Sequence, residues 1–397
     1  LKSKRQEVKV ENIRKKFMEV FGNSDVKPRE FFAPGRVNLI GEHTDYNGGN
    51  VFPCALSFGT YAVARLRDDK KVKFYSGNFE KNGIIQCDLD NLSYDEADNW
   101  ANYPKGVIKI FKDHGFEIDR GFEIFFLGEI PNGAGLSSSA SIELATSVLL
   151  KSLFDLNVDM LDMVKMSQEA ENKFVGVNCG IMDQFAIGMG KKSKAVLLDC
   201  NTLNYEYAPV ELGDASIVIA NTNSKRKLAD SKYNERRTEC ERALSQLQKR
   251  LDVKSLGEIS IEEFEANKNL IKNEIDRKRA KHAVYENQRT LMAFESLKGG
   301  DIKRFGELMN ESHISLRDDY EVTGAALDTL VELAWETEGT IGSRMTGAGF
   351  GGCTVSIVKN ENIEEFIKNI GEKYKKKIGL RADFYIADIG DGARELI

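Results

Sequence analysis

Pro131-Asn132-Gly133-Ala134-Gly135-Leu136-Ser137-Ser138-Ser139-Ala140-Ser141 lies between two segments of different period. Before it, Phe122 to Leu127 is an apolar run of strand length. After it, Ser139 to Phe154 places Ala140, Leu144, Val148 and Leu149 at helical spacing, a stripe that asks to be buried. A strand, a glycine-rich turn and a helix start together make an anion site. Glycines let the backbone come close, free amides point outward, and the helix dipole favours negative charge. An ordinary serine helix cap is the alternative. Three consecutive serines after Gly-x-Gly favour a phosphate loop, since their hydroxyls can bond phosphate or complete a Mg²⁺ shell. The loop is not a Walker A sequence, because Gly-x-x-x-x-Gly-Lys-Ser/Thr never occurs. His-Arg-Asp and Asp-Phe-Gly are absent, which excludes a protein-kinase loop. The third glycine of a Rossmann fingerprint is missing too.

Working outward, the 397 residues exceed one ordinary core and imply two domains. All six prolines lie at or before Pro209, so the expected division is 1–210 and 211–397. Hydrophobic residues make up 41% and charged residues 30%, which excludes disordered and fibrous classes. The net charge of −6 argues against a nucleic-acid partner, which would need a basic face. No apolar run approaches the ~18 residues of a membrane span, and the N-terminal stretch shows no secretory signal. Six scattered cysteines without Cys-x-x-Cys point to reduced thiols in a cytoplasmic protein. Four histidines and no His-Glu-x-x-His argue against a zinc enzyme. Further strands are expected at Tyr61–Leu66 and Val72–Tyr75, flanking a turn at Arg67–Lys70, and at Ile217–Ala220, Cys353–Val358 and Phe384–Ala387. A charged helix is expected from Arg226 to Arg250, with Leu244, Leu247 and Leu251 on one face. Strands and helices mix throughout, giving an α+β or mixed α/β class.

Three other segments concentrate chemistry. Gly35-Arg36-Val37-Asn38-Leu39-Ile40-Gly41-Glu42-His43-Thr44-Asp45-Tyr46-Asn47-Gly48-Gly49 packs Arg, Glu, His and Asp into ten residues, and its terminal glycines read as loop. Glu42, His43 and Asp45 offer the donors and acceptors that sugar hydroxyls need, although a self-bonded polar turn is equally natural. Glu171, near a helix end, and Asp183, opening a helix to Met189, are the carboxylates that phosphoryl transfer would place at a metal and at the reacting hydroxyl. Read singly, they are a solvated helix face and a cap. Gly342-Ser343-Arg344-Met345-Thr346-Gly347-Ala348-Gly349-Phe350-Gly351-Gly352-Cys353 holds five glycines before a strand, a density that implies close backbone approach or a tight turn.

Together these segments resemble the GHMP kinase superfamily and, within it, the galactokinase family. The Gly35–Gly49 run is similar to the galactokinase signature, Gly133–Ala140 to the superfamily's phosphate loop, and Arg344–Cys353 to its third motif. The resemblance spans nearly the whole chain in the right order. Its one visible departure is Ser343, where Ala is commoner. It implies a two-domain α+β fold: an N-terminal domain like the second domain of ribosomal protein S5, a ferredoxin-like C-terminal domain, and an active site in the cleft between them. The implied reaction is ATP plus α-D-galactose giving α-D-galactose 1-phosphate and ADP, in galactose catabolism by the Leloir pathway.

The resemblance also assigns roles. Asp183 would accept the C1 hydroxyl proton, beside Arg36, which would stabilise the transferring charge. Arg36, Glu42, His43, Thr44, Asp45, Gly180, Asp183 and Tyr233 would bind the sugar. The loop Gly133, Ala134, Gly135, Leu136, Ser137, Ser138 and Ser139 would cradle ATP phosphates. Ser139 and Glu171 would hold Mg²⁺. Trp100 and Tyr103 would flank adenine, with Ser76 near the nucleotide. A monomer is expected, with galactose and ATP as its only partners. The rival readings are another GHMP kinase, such as one for N-acetylgalactosamine, arabinose, mevalonate or homoserine, and a catalytically silent galactose- and ATP-binding regulator. The Glu42–Asp45 run speaks for a sugar. The Ser139-Ala140 pair, which silent relatives can lack, is present.

Overall fold

The computed structural model describes residues 2–131, 134–224 and 229–396. Asn132, Gly133 and residues 225–228 lie outside the described residues, and with them one expected phosphate-loop glycine and the start of one expected helix. The elements run α1 (Lys2–Phe21), β1 (Arg29–Asn38), β2 (Asn50–Val51), β3 (Pro53–Leu66), β4 (Lys71–Ser76), β5 (Ile85–Asp88), α2 (Asn102–Asp113) and β6 (Phe122–Gly128). Then come α3 (Ser138–Leu153), α4 (Met160–Glu169), α5 (Met182–Met189), β7 (Lys194–Asp199), β8 (Tyr205–Pro209) and β9 (Ala215–Asn221). The remainder is α6 (Ala229–Leu247), α7 (Ile261–Asn267), α8 (Glu274–Lys298), α9 (Ile302–Ser315), α10 (Ala325–Trp335), β10 (Thr340–Thr346), β11 (Cys353–Lys359), α11 (Ile363–Ile378), β12 (Asp383–Ala387) and β13 (Arg394–Leu396).

Six strands form one sheet in the order β13-β1-β3-β6-β4-β5, antiparallel except for the β4–β6 pair. The period-2 pattern divides its side chains between two faces. Phe31, Ala62, Ala64, Ile124 and Phe126 pack with the apolar residues of α2, α3, α4 and α5. Their neighbours Phe32, Tyr61, Val63 and Phe125 face the other way, onto Ile13 and Phe17 of α1. Arg67–Lys70 joins β3 to β4, but β6 sits between those two strands in the sheet.

In the second half, β9, β10, β11 and β12 form an antiparallel sheet ordered β10-β11-β9-β12. Helices fall between β9 and β10, and α11 between β11 and β12, which is the ferredoxin-like βαββαβ arrangement. Val218, Ala220 and Val358 face α10 and α11. Ile217, Ile219, Val355 and Ile357 face α8 and α9, in one cluster with Val37, Ile40, Phe52 and Cys54 from the first half. That shared cluster joins the halves. The last strand, β13, leaves the second half and pairs with β1, Glu30 opposite Leu396. β2, β7 and β8 make a small third sheet.

One local reading changes. The first four residues of the Gly35–Gly49 run are not loop: Gly35–Asn38 end β1, paired with β3 and buried on both faces. The register shifts between Pro34 and Arg36. Such a bulge re-aims the side chain beside it, and here that side chain is Arg36.

Candidate active site

Arg36 anchors the site. Its Nε donates to Asp183 Oδ1 at 2.8 Å and a terminal nitrogen donates to Oδ2 at 3.0 Å, a bidentate pair. Its other terminal nitrogen donates to the Gly135 carbonyl at 2.7 Å, and its own amide donates to the Leu136 carbonyl at 3.2 Å. One arginine thus ties the end of β1 to the glycine-rich turn and to α5. Ser137, in the left-handed region at φ 61°, precedes α3 and makes no side-chain cap. Its hydroxyl donates instead to Asp183 Oδ2. The ordinary-cap alternative therefore fails for this serine. It fails for Asp183 as well, whose carboxylate is taken up by Arg36 and Ser137.

These groups border a cavity of about 540 Å³. It is lined by Arg36, Glu42, His43, Asp45, Gly135, Ser137, Ser138, Ser139, Glu171, Gly180, Asp183 and Tyr233, twelve residues that the sequence singled out. Ser138 and Ser139 also line a smaller hollow of about 160 Å³, together with Ser76, Trp100 and Tyr103. In that hollow Phe79 stacks on Trp100 (ring centroids 6.4 Å apart, 12° between planes), and Phe126 meets Trp100 edge-on. The indole N–H of Trp100 has no hydrogen-bond partner among the described residues.

Three expected contributors sit elsewhere. The side chain of Thr44 is buried and its hydroxyl donates to the Gly41 and Asn50 carbonyls at 2.8 and 2.6 Å, so it braces the turn and lines neither cavity. Ala134 and Leu136 bury their side chains in the core that joins the halves. Only their backbones are available to a ligand.

The electrostatics are those of a crowded acidic pocket. Burial, then the neighbouring Asp183 carboxylate, push the Asp45 carboxyl up to about 7. The same two causes push Glu171 up to about 7, against hydrogen bonds from Ser139, Cys179 and Gln184. Glu171 is 5% exposed, so it is not a solvated helix face. Burial, then the charge of His282, hold the His43 ring down at about 3, so His43 is neutral near pH 7. His43 sits at φ 63° and its Nδ1 meets the Tyr46 hydroxyl at 2.8 Å. Gly180 is dictated by contact. A Cβ there would lie 1.9 Å from Asp45 Oδ2, so any side chain would displace that carboxylate.

Sequence reasoning gave no role to several residues that shape the site. Glu42 accepts from the Gly347 amide at 2.7 Å, from Asn38 Nδ2 at 2.7 Å and from the fully buried Arg344 at 3.4 Å. Thr346 Oγ1 donates to the Asn38 carbonyl at 3.0 Å. The end of β10 and the turn after it therefore clamp the end of β1, holding the two halves together beside the cavity. The turn carries four glycines at positive φ, Gly347, Gly349, Gly351 and Gly352, and a Cβ on Gly349 would come within 2.2 Å of the Val322 carbonyl. Asn178, Cys179, Asn234 and Ala348 also line the larger cavity.

Ser139 and Glu171, hydrogen-bonded to each other, offer hard oxygen donors in the lining of the larger cavity. No cluster of three His, Cys, Asp or Glu side chains suited to a metal occurs among the described residues. Hard oxygen donors of this kind fit Mg²⁺, which keeps waters and takes phosphate oxygens instead of an all-protein cage.

Comparison with known proteins identifies the family. Residues 15–66 match the galactokinase galactose-binding signature, 102–191 the GHMP kinases N terminal domain, and 293–376 the GHMP kinases C terminal domain. A galactokinase of Fusobacterium nucleatum is 66% identical, with 97% of this chain and 99% of that protein covered. A galactokinase of Bacillus subtilis is 60% identical, over 96% and 97%. The crystal structure of Lactococcus lactis galactokinase complexed with galactose superposes with a TM-score of 0.95 at 54% identity, over 98% of this chain and all of that one. A mevalonate kinase structure shares the fold at a TM-score of 0.63 and 18% identity, over 92% and 99%. The chain belongs to the galactokinase family of the GHMP kinases.

Proposed function

We propose that this chain transfers the γ-phosphoryl group of ATP to the C1 hydroxyl of α-D-galactose, releasing α-D-galactose 1-phosphate and ADP. The Arg36–Asp183–Ser137 constellation carries the reading, because it stands where the acidic sugar-side cavity meets the serine-rich start of α3. Full-length relatives that are galactokinases favour this reaction over that of another GHMP kinase and over a silent regulator.

Phosphoryl transfer passes through a loose transition state, so positioning and electrostatics supply most of the catalysis. Asp45, Glu42, His43 and Tyr233 orient the sugar, and Gly180 leaves the room that Asp45 occupies. Asp183, held on two edges by Arg36 and on a third contact by Ser137, receives the C1 proton as the oxygen attacks. Arg36 meets the charge that develops on the transferring group. The smaller hollow takes the adenine, with Trp100, Phe79 and Tyr103 as its aromatic walls and Ser76 at its edge. Backbone amides around Gly135 to Ser139 hold the phosphates at the start of α3. Ser139 and Glu171 would hold Mg²⁺, whose chemistry when bound is to neutralise the β- and γ-phosphate oxygens.

No disulfide joins the six cysteines among the described residues, in keeping with a reducing cytoplasm, and no helix among the described residues is long and apolar enough to cross a membrane. The test is ADP release from ATP against a panel of monosaccharides with the purified protein. Galactose should lead the panel. Equal rates with all sugars, or none with any, would remove the assignment.

A further inference from the structure

Gln184 follows Asp183 on α5, so the helix turns it about 100° away from its neighbour. It is fully buried, and its Nε2 makes two hydrogen bonds. One reaches Glu171 Oε2 at 2.6 Å and the other reaches Glu143 Oε2 at 3.0 Å. A primary amide nitrogen carries two hydrogens, so both are spent on carboxylates. Glu143, on α3, is itself fully buried, and no other hydrogen bond to its second oxygen occurs among the described residues. The proposed mechanism gives neither Gln184 nor Glu143 a task. A buried carboxyl with one oxygen unpartnered costs stability, and a positioning role would give a reason to keep it. Ser139 also hydrogen-bonds the Glu171 carboxyl. On Oε2, Gln184 is joined by Cys179, its sulfur 3.5 Å away. Neither contact engages Oε1.

We propose that Gln184 is a positioning residue for the metal site: anchored by Glu143, it holds Glu171 by Oε2 and so presents Oε1 to the Mg²⁺ that accompanies ATP. The inference rests on the reading of Glu171 as a metal ligand. It explains why three elements, α3, the segment Ala170–Val175 and α5, converge on one amide. A carboxylate ligand normally needs such an outer partner to fix its orientation, and losing one typically weakens metal binding roughly 10–100-fold.

The test uses Mn²⁺ as an EPR-visible probe, titrated into the full chain in the presence of ADP, alongside a thermal melt of each variant. Gln184→Met keeps the volume and removes both donors, and should raise the Mn²⁺ Kd by roughly 10–100-fold while galactose affinity stays unchanged. Glu143→Leu, which removes the anchor, should move the Kd in the same direction. Glu143→Gln, which retains an acceptor for Gln184, should restore most of that loss. Glu171→Gln serves as the reference for the underlying reading. If Glu171→Gln weakens Mn²⁺ binding and both Gln184→Met and Glu143→Leu bind it like the wild type, the positioning role is wrong and the ligand role stands. If Glu171→Gln itself leaves the Kd unchanged, the ligand role is wrong and the positioning role falls with it. Should Gln184→Met fail to fold, the contrast between Glu143→Leu and Glu143→Gln decides.

Discussion

The two hollows that meet at Ser138 and Ser139 are built on opposite principles. The larger hollow, which we propose takes the sugar, is lined by Glu42, Asp45, Glu171 and Asp183, with Arg36 as the cation among them. The smaller hollow, which we propose takes the nucleotide, is lined by Phe79, Trp100, Tyr103, Phe126, Ile130 and Ile142, with only uncharged polar side chains such as Thr60, Ser76 and Asn78 between. Buried carboxylates discriminate, because a missing hydroxyl leaves a charged oxygen unpaired. Aromatic walls tolerate, because any flat base offers a face. The difference places selectivity at the sugar and economy at the base, and substitutions on each side should fail in different ways.

The largest effect belongs at the junction. Asp183→Asn keeps the shape and removes the proton acceptor. A general base supplies typically 10²–10⁴-fold, so kcat should fall that far while galactose still binds by calorimetry. Wild-type turnover in a folded variant would end the role given to Asp183. Next comes the sugar side. Asp45→Ala should raise the galactose KM by about 10–100-fold, the equivalent of roughly 1–3 kcal/mol, and leave the ATP KM nearly alone. It should also narrow the galactose-to-glucose ratio of kcat/KM. An unchanged ratio would mean that Asp45 does not read the sugar. The nucleotide side should answer more gently. Trp100→Phe keeps a ring against Phe126 but removes the unpartnered indole N–H. A single neutral hydrogen bond is worth about 1 kcal/mol, so the ATP KM should rise about fivefold with the galactose KM constant. A shift in galactose instead would merge the two hollows into one functional unit.

The same contrast governs what could be read from the sequence. The sugar side is legible because much of it is contiguous: Arg36, Glu42, His43 and Asp45 fall within ten residues. An apolar run of strand length and a helically spaced stripe located β6 and α3, and hence the loop between them. Thr44 misled, because adjacency in a motif says nothing about direction, and the turn needed its hydroxyl for two carbonyls. Gly35–Asn38 read as loop because glycine marks turns, whereas here the glycine permits a bulge under the Leu136 carbonyl. Arg344 meeting Glu42, Gln184 meeting Glu143, and β13 joining β1 are pairings across 302, 41 and more than 350 positions. No local pattern encodes such partners; the sheet and helix packing brings them together. Phe79 had no signal at all, being one of 22 phenylalanines and outside every motif.

The smallest effect is also the sharpest separation of the two sides, because only one of them titrates. Asp45 ordinarily ionises near 3.8, and in the folded protein burial and Asp183 hold it near 7. Between those values the native state keeps a proton that the unfolded chain has released. Stability therefore falls as pH rises from about 4 to about 7, and the whole penalty is present above 7. Asp45→Asn removes it. The ligand-free variant should melt higher than the wild type at pH 8, by about 1–4 °C, with the gap shrinking at pH 5 and closing near pH 4. Glu171, held near 7, follows the same sign, and His43, held near 3, follows the opposite one. Both are present in wild type and variant, so they cancel in the difference. Saturating galactose should reverse the order at pH 8, since sugar hydroxyls donate to the charged carboxylate and not comparably to the amide. Trp100→Phe, compared with wild type in the same scans, should give a melting difference independent of pH. A gap for Asp45→Asn that is equally flat with pH would show that the carboxyl is solvated, and that the sugar side pays nothing for the charge it holds in readiness.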